Sequence, residues 1–346
     1  MKDRMRFLLK LGLACGLTWL GVNRLFRYLN RRKVKILLYH GIVTGRLPET
    51  LNSESLHLPR EAFAKQLAYL KRWYHPLSLD EFVRRVHAHE PLPDYTVVIT
   101  FDDGYLNNYQ HAWPLLKSLG IPATLCVTTS FLSSDELLWL DALEYSLHAT
   151  RQPRLRVTLD GHLQEFSLRG LRAKRSSLRR VKRLLKRQAI GERRALLDGL
   201  QAQLGVRPRV DDLPHCAPLS WEGLAEMHRD GTVAIGSHAV QHDNLDTMTL
   251  AAAREQLAQS KALLEARLKT RVTAFAYPGG ACTEELKRLA RDAGYQCALA
   301  TRHGFNDATT DLFELRRNEV GSAGNLWCFK ATVSGAFDGI KSLLRR

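Results

Sequence analysis

The chain has 346 residues, 45% apolar and 25% charged, which suits a folded globular protein and excludes extended disorder, collagen-like repeats and a polytopic membrane protein. Net charge is +16, but residues 1–35 hold ten Lys/Arg against one acid and residues 151–200 hold fifteen against four, so a catalytic or binding core is expected in the slightly acidic remainder. The six cysteines, at positions 15, 126, 216, 282, 297 and 328, include no CxxC pair, which excludes a zinc ribbon and a small disulfide scaffold.

The N-terminus pairs Lys2, Arg4 and Arg6 with an apolar stretch, Leu11 to Val22, bracketed by Lys10 and Arg24. That is short of the ~20 apolar residues a spanning helix needs. Phe7 to Phe26 would just span if Lys10 snorkels. A signal-peptide core also fits the length, but no A-x-A-like cleavage site follows. The basic flanks disfavour a buried helix. The expectation is a membrane-associated segment over residues 1–33, with basic groups on anionic head groups and Trp19 entering the bilayer. Six basic groups in 24–35 against four before the stretch are a small bias toward a cytoplasmic body, and leave the membrane face open.

Lys35 to Tyr39 reads as a buried strand ending in His40-Gly41, and Glu61 to Tyr74 as a helix burying Phe63, Leu67 and Leu70. Thr96 to Phe101 is a second apolar strand, ending in Asp102-Asp103-Gly104. A helix containing Leu115 and Leu116 follows, then a strand from Ala123 to Thr128. Strands alternating with helices predict a parallel α/β sheet or barrel. Residues 133–216 interrupt the alternation. There, Glu136 to His148 reads as a helix, Asp160-Gly161 as a hairpin turn, and 171–204 as a basic amphipathic helix or helix pair. Alternation resumes with helices capped by Ser220, Thr249 and Thr283, and with strands at Val233 to Ile235, Val272 to Ala276 and Cys297 to Ala300.

In parallel α/β folds, functional groups gather at the carboxyl ends of strands. Here those ends carry His40, Asp102-Asp103-Gly104, His238 with His242, and Pro278-Gly279-Gly280. One Asp with two His is a usual ligand set for a divalent ion that keeps positions open for water and substrate. Histidines four apart share one face of a helix, so both can reach one ion. Adjacent carboxylates can divide labour, one on the metal and one free to accept a proton.

Taken together, these motifs resemble the polysaccharide deacetylases with the NodB-homology domain. TFDDG stands intact at Thr100 to Gly104, and H-[ST]-x-x-H reads His238-Ala239-Val240-Gln241-His242, with Ala239 replacing Ser/Thr. Phe275 to Gly280 matches the FAYPYG branch, which lacks the Arg of R-x-P-[YF]-G and carries Tyr39-His40 at its first strand. The resemblance implies a deformed (β/α) barrel, with fewer than eight regular strands, split over 34–132 and 217–325. An insertion of helices and a β-hairpin fills 133–216, and 326–346 form a C-terminal tail. It implies that Asp103, His238 and His242 bind the metal, that Asp102 is the general base, and that His40 is the general acid. The Gly279 N–H, where the family more often has Tyr, joins in holding the oxyanion. Arg317 matches an Arg that orients Asp102; an ordinary surface Arg is the alternative.

The expected activity is removal of N-acetyl groups from amino sugars of a polysaccharide or lipid-linked glycan. The expected cofactor is one divalent ion, zinc, with cobalt or nickel able to replace it. The alternatives are a deformylase or other amidase on a lipid-linked sugar, and a non-catalytic protein binding membrane or anionic glycan. Nucleic acid is not expected, because the basic segments lack an aromatic platform or a reading motif.

Overall fold

The structure, a computed structural model, describes residues 2–48, 50–159, 162–188, 190–321 and 325–343. Seven strands make the main sheet: β1 (Lys35–Tyr39), β2 (Thr96–Phe101), β3 (Ala123–Val127), β4 (Val233–Ser237), β5 (Ala274–Ala276), β6 (Cys297–Leu299) and β7 (Arg317–Glu319). All pair in parallel, in the order β6-β5-β4-β3-β2-β1-β7, and a two-residue strand at His75–Pro76 pairs β2 off this path. A single parallel bridge, Leu299 to Leu315, joins the β6 side to the segment leading into β7. The sheet is therefore a nearly closed, deformed (β/α) barrel.

Apolar residues on both faces explain why these strands sit in a parallel barrel: β1, β2 and β3 are buried throughout. Alternate residues join different clusters. Leu37, Tyr39, Ile99 and Phe101 pack beneath the surrounding helices. Ile36, Val98, Cys126, Ala276, Leu299 and Leu315 form a second cluster. Six residues from around the sheet can meet only if it curls about them, so this cluster is the barrel interior. Helix Leu79–His87 plugs its amino end with Leu79, Phe82 and Val83. The expected caps are all made: Ser220, Thr249 and Thr283 each accept a hydrogen bond from the first turn of their helix.

The insertion contains helix Trp139–Ala149, an antiparallel hairpin of Arg154–Leu159 with His162–Ser167, and the helix pair Gly170–Leu185 and Ile190–Leu204. These elements share their own apolar core, including Leu143, Val157, Phe166, Val181 and Leu200. The Asp160-Gly161 turn lies outside the described residues. At the N-terminus, helix Lys2–Trp19 stops before Gly21, whose left-handed φ of 70° starts a second helix, Val22–Leu29. Ala14 and Leu17 pack against Ala331 and Ala336 of the C-terminal helices Leu326–Ser334 and Ala336–Leu343. Among the described residues no helix is long and apolar enough to cross a membrane.

Candidate active site

The interior register carries the site. Side chains two apart on a strand share a face, so the row of Ile36 and Leu38 leads to His40, and the row of Val98 and Thr100 leads to Asp102. Cys126 pairs with Gly236, which puts His238 above the same interior, and Leu315 sets Arg317 and Glu319 facing inward. All these groups emerge at the carboxyl mouth of the barrel. His40, Asp102, His238 and Glu319 line a cleft of about 480 Å³ that also includes Asp103, His242 and Gly279, with Arg317 fully buried against Asp102.

Asp102 and Asp103 would point to opposite faces of a regular strand. Asp103 instead adopts a left-handed φ of 78°, which turns its carboxylate toward the histidines. Its Oδ1 lies 3.6 Å from His238 Nε2 and 3.3 Å from His242 Nε2. The histidines reach it differently from the sequence expectation. They lie on a loop, not on one face of a helix. Ala239, with φ 67°, reverses the chain between them, and its carbonyl accepts a hydrogen bond from Thr129 N–H. β4 ends at Ser237 and runs directly into this turn.

His238 Nδ1 lies 2.8 Å from the Ala276 carbonyl, so it donates there and leaves Nε2 as a lone-pair donor. Burial lowers the pKa of both histidines, so the rings are neutral. Asp103 is pushed well above the usual carboxylate range by burial and by the charge of Asp102. Its Oδ1 is buried without a hydrogen-bond partner among the described residues. Two neutral imidazoles facing an unpartnered carboxylate oxygen form a converging donor set that a divalent cation fits.

Asp102 is held differently. Arg317 donates two hydrogen bonds to it, at 2.8 and 2.7 Å, and its Nε donates to the Ala300 carbonyl at 3.0 Å. Burial alone would raise Asp102, but Arg317, with smaller help from His238 and His40, outweighs this and lowers it to about 2. Arg317 is therefore no surface residue: it is 0% exposed and fixes the second carboxylate as an anion. The period-two run Leu315, Arg317, Glu319 was the available signal, but its inward face is decided by the sheet. His40 is brought down to about 4, chiefly by burial. Gly279 sits at the mouth with φ 68°, and a Cβ there would come within 2.3 Å of Asn244 Oδ1. This chain thus has a glycine where a side chain would collide.

The insertion roofs the cleft with Trp139, Lys186 and Arg193. Arg193 pairs with Asp243 beside His242, and Lys182 pairs with Glu54 of the loop after β1. A second cavity of about 320 Å³ continues from Trp139, Arg193 and His242. None of these roof residues was singled out from sequence, because their place depends on how the insertion folds back.

The sequence profile of polysaccharide deacetylases matches residues 89–298. YxkH of Bacillus subtilis (strain 168), which bears a polysaccharide deacetylase name, is 23% identical over 289 residues, 83% of this chain and 71% of that protein. A 76-residue stretch, 22% of this chain and 11% of the relative, is 32% identical to poly-beta-1,6-N-acetyl-D-glucosamine N-deacetylase of Escherichia coli (strain K12). Among solved structures, the Streptococcus pyogenes deacetylase PplD in complex with acetate aligns with TM-score 0.56 at 20% identity, over 84% of this chain and 93% of that one. IcaB from Ammonifex degensii aligns with TM-score 0.56 at 19% identity, over 88% and 97%. Both structural likenesses concern the fold.

Proposed function

Because the chain belongs to the polysaccharide deacetylase family, hydrolases of N-acetyl amides, we propose that it is a metal-dependent N-deacetylase of a polymeric or lipid-linked amino sugar. The observation that carries this reading is the convergence of Asp103, His238 and His242 beside an Asp102 held ionised by Arg317. Asp103, His238 and His242 are the ligands of the ion. When bound, a divalent ion of the zinc, cobalt or nickel type supplies Lewis acidity and lowers the pKa of a water.

The protein's own groups do the rest. Asp102 accepts the proton of the attacking water, and its fixed geometry is what Arg317 provides. The Gly279 N–H stabilises the developing oxyanion, on a backbone packed too closely against Asn244 to carry a side chain of its own. His40 delivers a proton to the leaving nitrogen. It is neutral near pH 7, so it must first take a proton up within the cleft, and Asp102 is its neighbouring source. Trp139 offers an apolar face to a sugar ring, and the continuing second cavity accommodates more than one sugar unit.

The test is acetate release from N-acetylglucosamine oligomers and from lipid-linked N-acetylated amino sugars, with and without a chelator. Chelator-sensitive acetate release supports the reading. Formate release from an N-formyl sugar, with none of acetate, would replace it by a deformylase.

We also propose that the N-terminal helices lie on an anionic membrane surface. Trp19 and Leu20 are 84% and 81% exposed, with Leu25 and Leu29 also exposed and Arg24 and Arg32 nearby in sequence. An apolar rim next to basic residues suits head groups and acyl chains together, with ~1 kcal/mol per basic residue near the surface. Deleting residues 1–30 should weaken flotation with anionic liposomes; unchanged flotation at low and high salt refutes this placement.

A further inference from the structure

We propose that His57, His215 and Cys216 form a second metal site, for a zinc-type ion, separate from the Asp103 centre and joining the exit of the insertion to the barrel. One ligand atom from each lies within 4.8 Å of the other two. His57 Nε2 is 3.7 Å from Cys216 Sγ. Two ligands of a tetrahedral zinc, at about 2.3 Å for sulfur and 2.05 Å for nitrogen, are ~3.6 Å apart, so this edge already has the required length. His215 Nε2 is buried with no hydrogen-bond partner among the described residues. The His215 ring also interacts with the Leu51 backbone, the kind of outer contact that orients a ligating imidazole.

The surroundings hold these three residues in place. Asn52 clamps the His57 backbone from both sides, accepting from its N–H at 3.0 Å and donating to its carbonyl at 2.9 Å. Gly41 lies opposite His57 in a parallel pair, and a Cβ there would come within 2.0 Å of His57 Nδ1, so the glycine makes room for the ring. Asn107 bridges the two halves: it accepts from Ile42 N–H at 3.0 Å and donates to the His215 carbonyl at 2.7 Å. Cys216 belongs to a buried cluster with Tyr105, Phe131, Leu138 and Leu213, and hydrogen-bonds Asp141.

The donor set differs in kind from the active site. One thiolate with two imidazoles suits zinc, whereas the active site offers a carboxylate with two imidazoles. On binding, the Cys216 S–H gives its proton to solvent as the sulfur–metal bond forms, with no change of oxidation state. Residues 57 and 216 come from opposite sides of the insertion, so the ion closes a long loop. It also braces the wall of the cleft, because the His57 ring packs edge-on to Tyr105 at 5.0 Å and Tyr105 lines that cleft.

Cobalt(II) titration of the full chain under a non-thiol reductant tests this. A thiolate ligand gives cobalt an intense near-ultraviolet charge-transfer band, which a carboxylate–imidazole site cannot give. The expected result is two equivalents bound, with the band saturating at one. Cys216→Ser and the half-exposed His215→Ala should each abolish the band and one equivalent while retaining the other. His238→Ala should keep the band, so failure here and failure of the deacetylase centre are told apart. Wild-type protein that binds cobalt without the band, or a band that survives in Cys216→Ser, overturns the proposal.

Discussion

Replacing Arg317 by Met is the most informative single change, because it separates the charge of Asp102 from its position. The two side chains share two short hydrogen bonds and are both buried. Removing one member of such a pair leaves an uncompensated charge, at about 3–5 kcal/mol of stability. The same loss moves the carboxyl. Arg317 is the strongest influence holding Asp102 near 2, against burial that pushes the other way. Recovering only the ordinary value of 3.8 forfeits about 2 kcal/mol of anion stabilisation, and unopposed burial carries it higher. The expected outcome is an acidic limb of the kcat/KM profile moved up by about two pH units or more, with activity recovering as pH rises and the carboxyl ionises. Metal content should stay at the parent level. The assay is a pH profile of acetate release, run beside denaturant unfolding of R317M, D102N and the double variant. The double variant, with neither charge, should lose less than the sum of the single losses, by about 3–5 kcal/mol. A parent-like pH profile in R317M, or single losses that simply add, refutes the assignment of Arg317 as the group that fixes Asp102.

His238→Ala and His242→Ala should each strip the active-site ion, measured as bound metal after dialysis; full occupancy of that site in both variants refutes the ligand set. Asp102→Asn should keep the metal but lower kcat by ~10²–10⁴, since an amide cannot accept the water's proton. His40→Ala should slow turnover with less effect on metal, and parent-like activity across pH would place the general acid elsewhere. Glu144, hydrogen-bonded to Ser53, is raised to about 7, chiefly by burial. Its folded value lies above its ordinary 4.5, so the stability linked to its proton is present below pH 4.5 and is lost as pH rises through 7. The loss amounts to about 3 kcal/mol at most. Glu144→Gln should flatten the pH dependence of unfolding between pH 4.5 and 7, and an unchanged slope contradicts the burial argument.

Only the tertiary structure decided the last strand, Arg317–Glu319, and the pairing order of the sheet, whereas the sequence by itself determined the other six barrel strands and the capped helices. Those features rest on short-range patterns: apolar runs such as Thr96–Phe101, and a Ser or Thr just before a helix. It also determined which residues to gather, since TFDDG and the His238–His242 pair are contiguous motifs at strand ends. Only the tertiary structure decided how they meet. Left-handed backbone at Asp103 and Ala239 turns their neighbours toward one point, and helical spacing had no part in it. Arg317 meets Asp102 from 215 residues away because the last strand completes the ring beside β1, and the inward face of Leu315 sets its direction. The insertion's composition marked it as basic, while its own core decided that Lys186 and Arg193 roof the cleft and that Lys182 is buried against Glu54. Cys216 shows the same division most sharply. Cysteine spacing excluded a contiguous zinc motif, yet chain closure brings it to His57 across 159 residues, a proximity that no local pattern encodes.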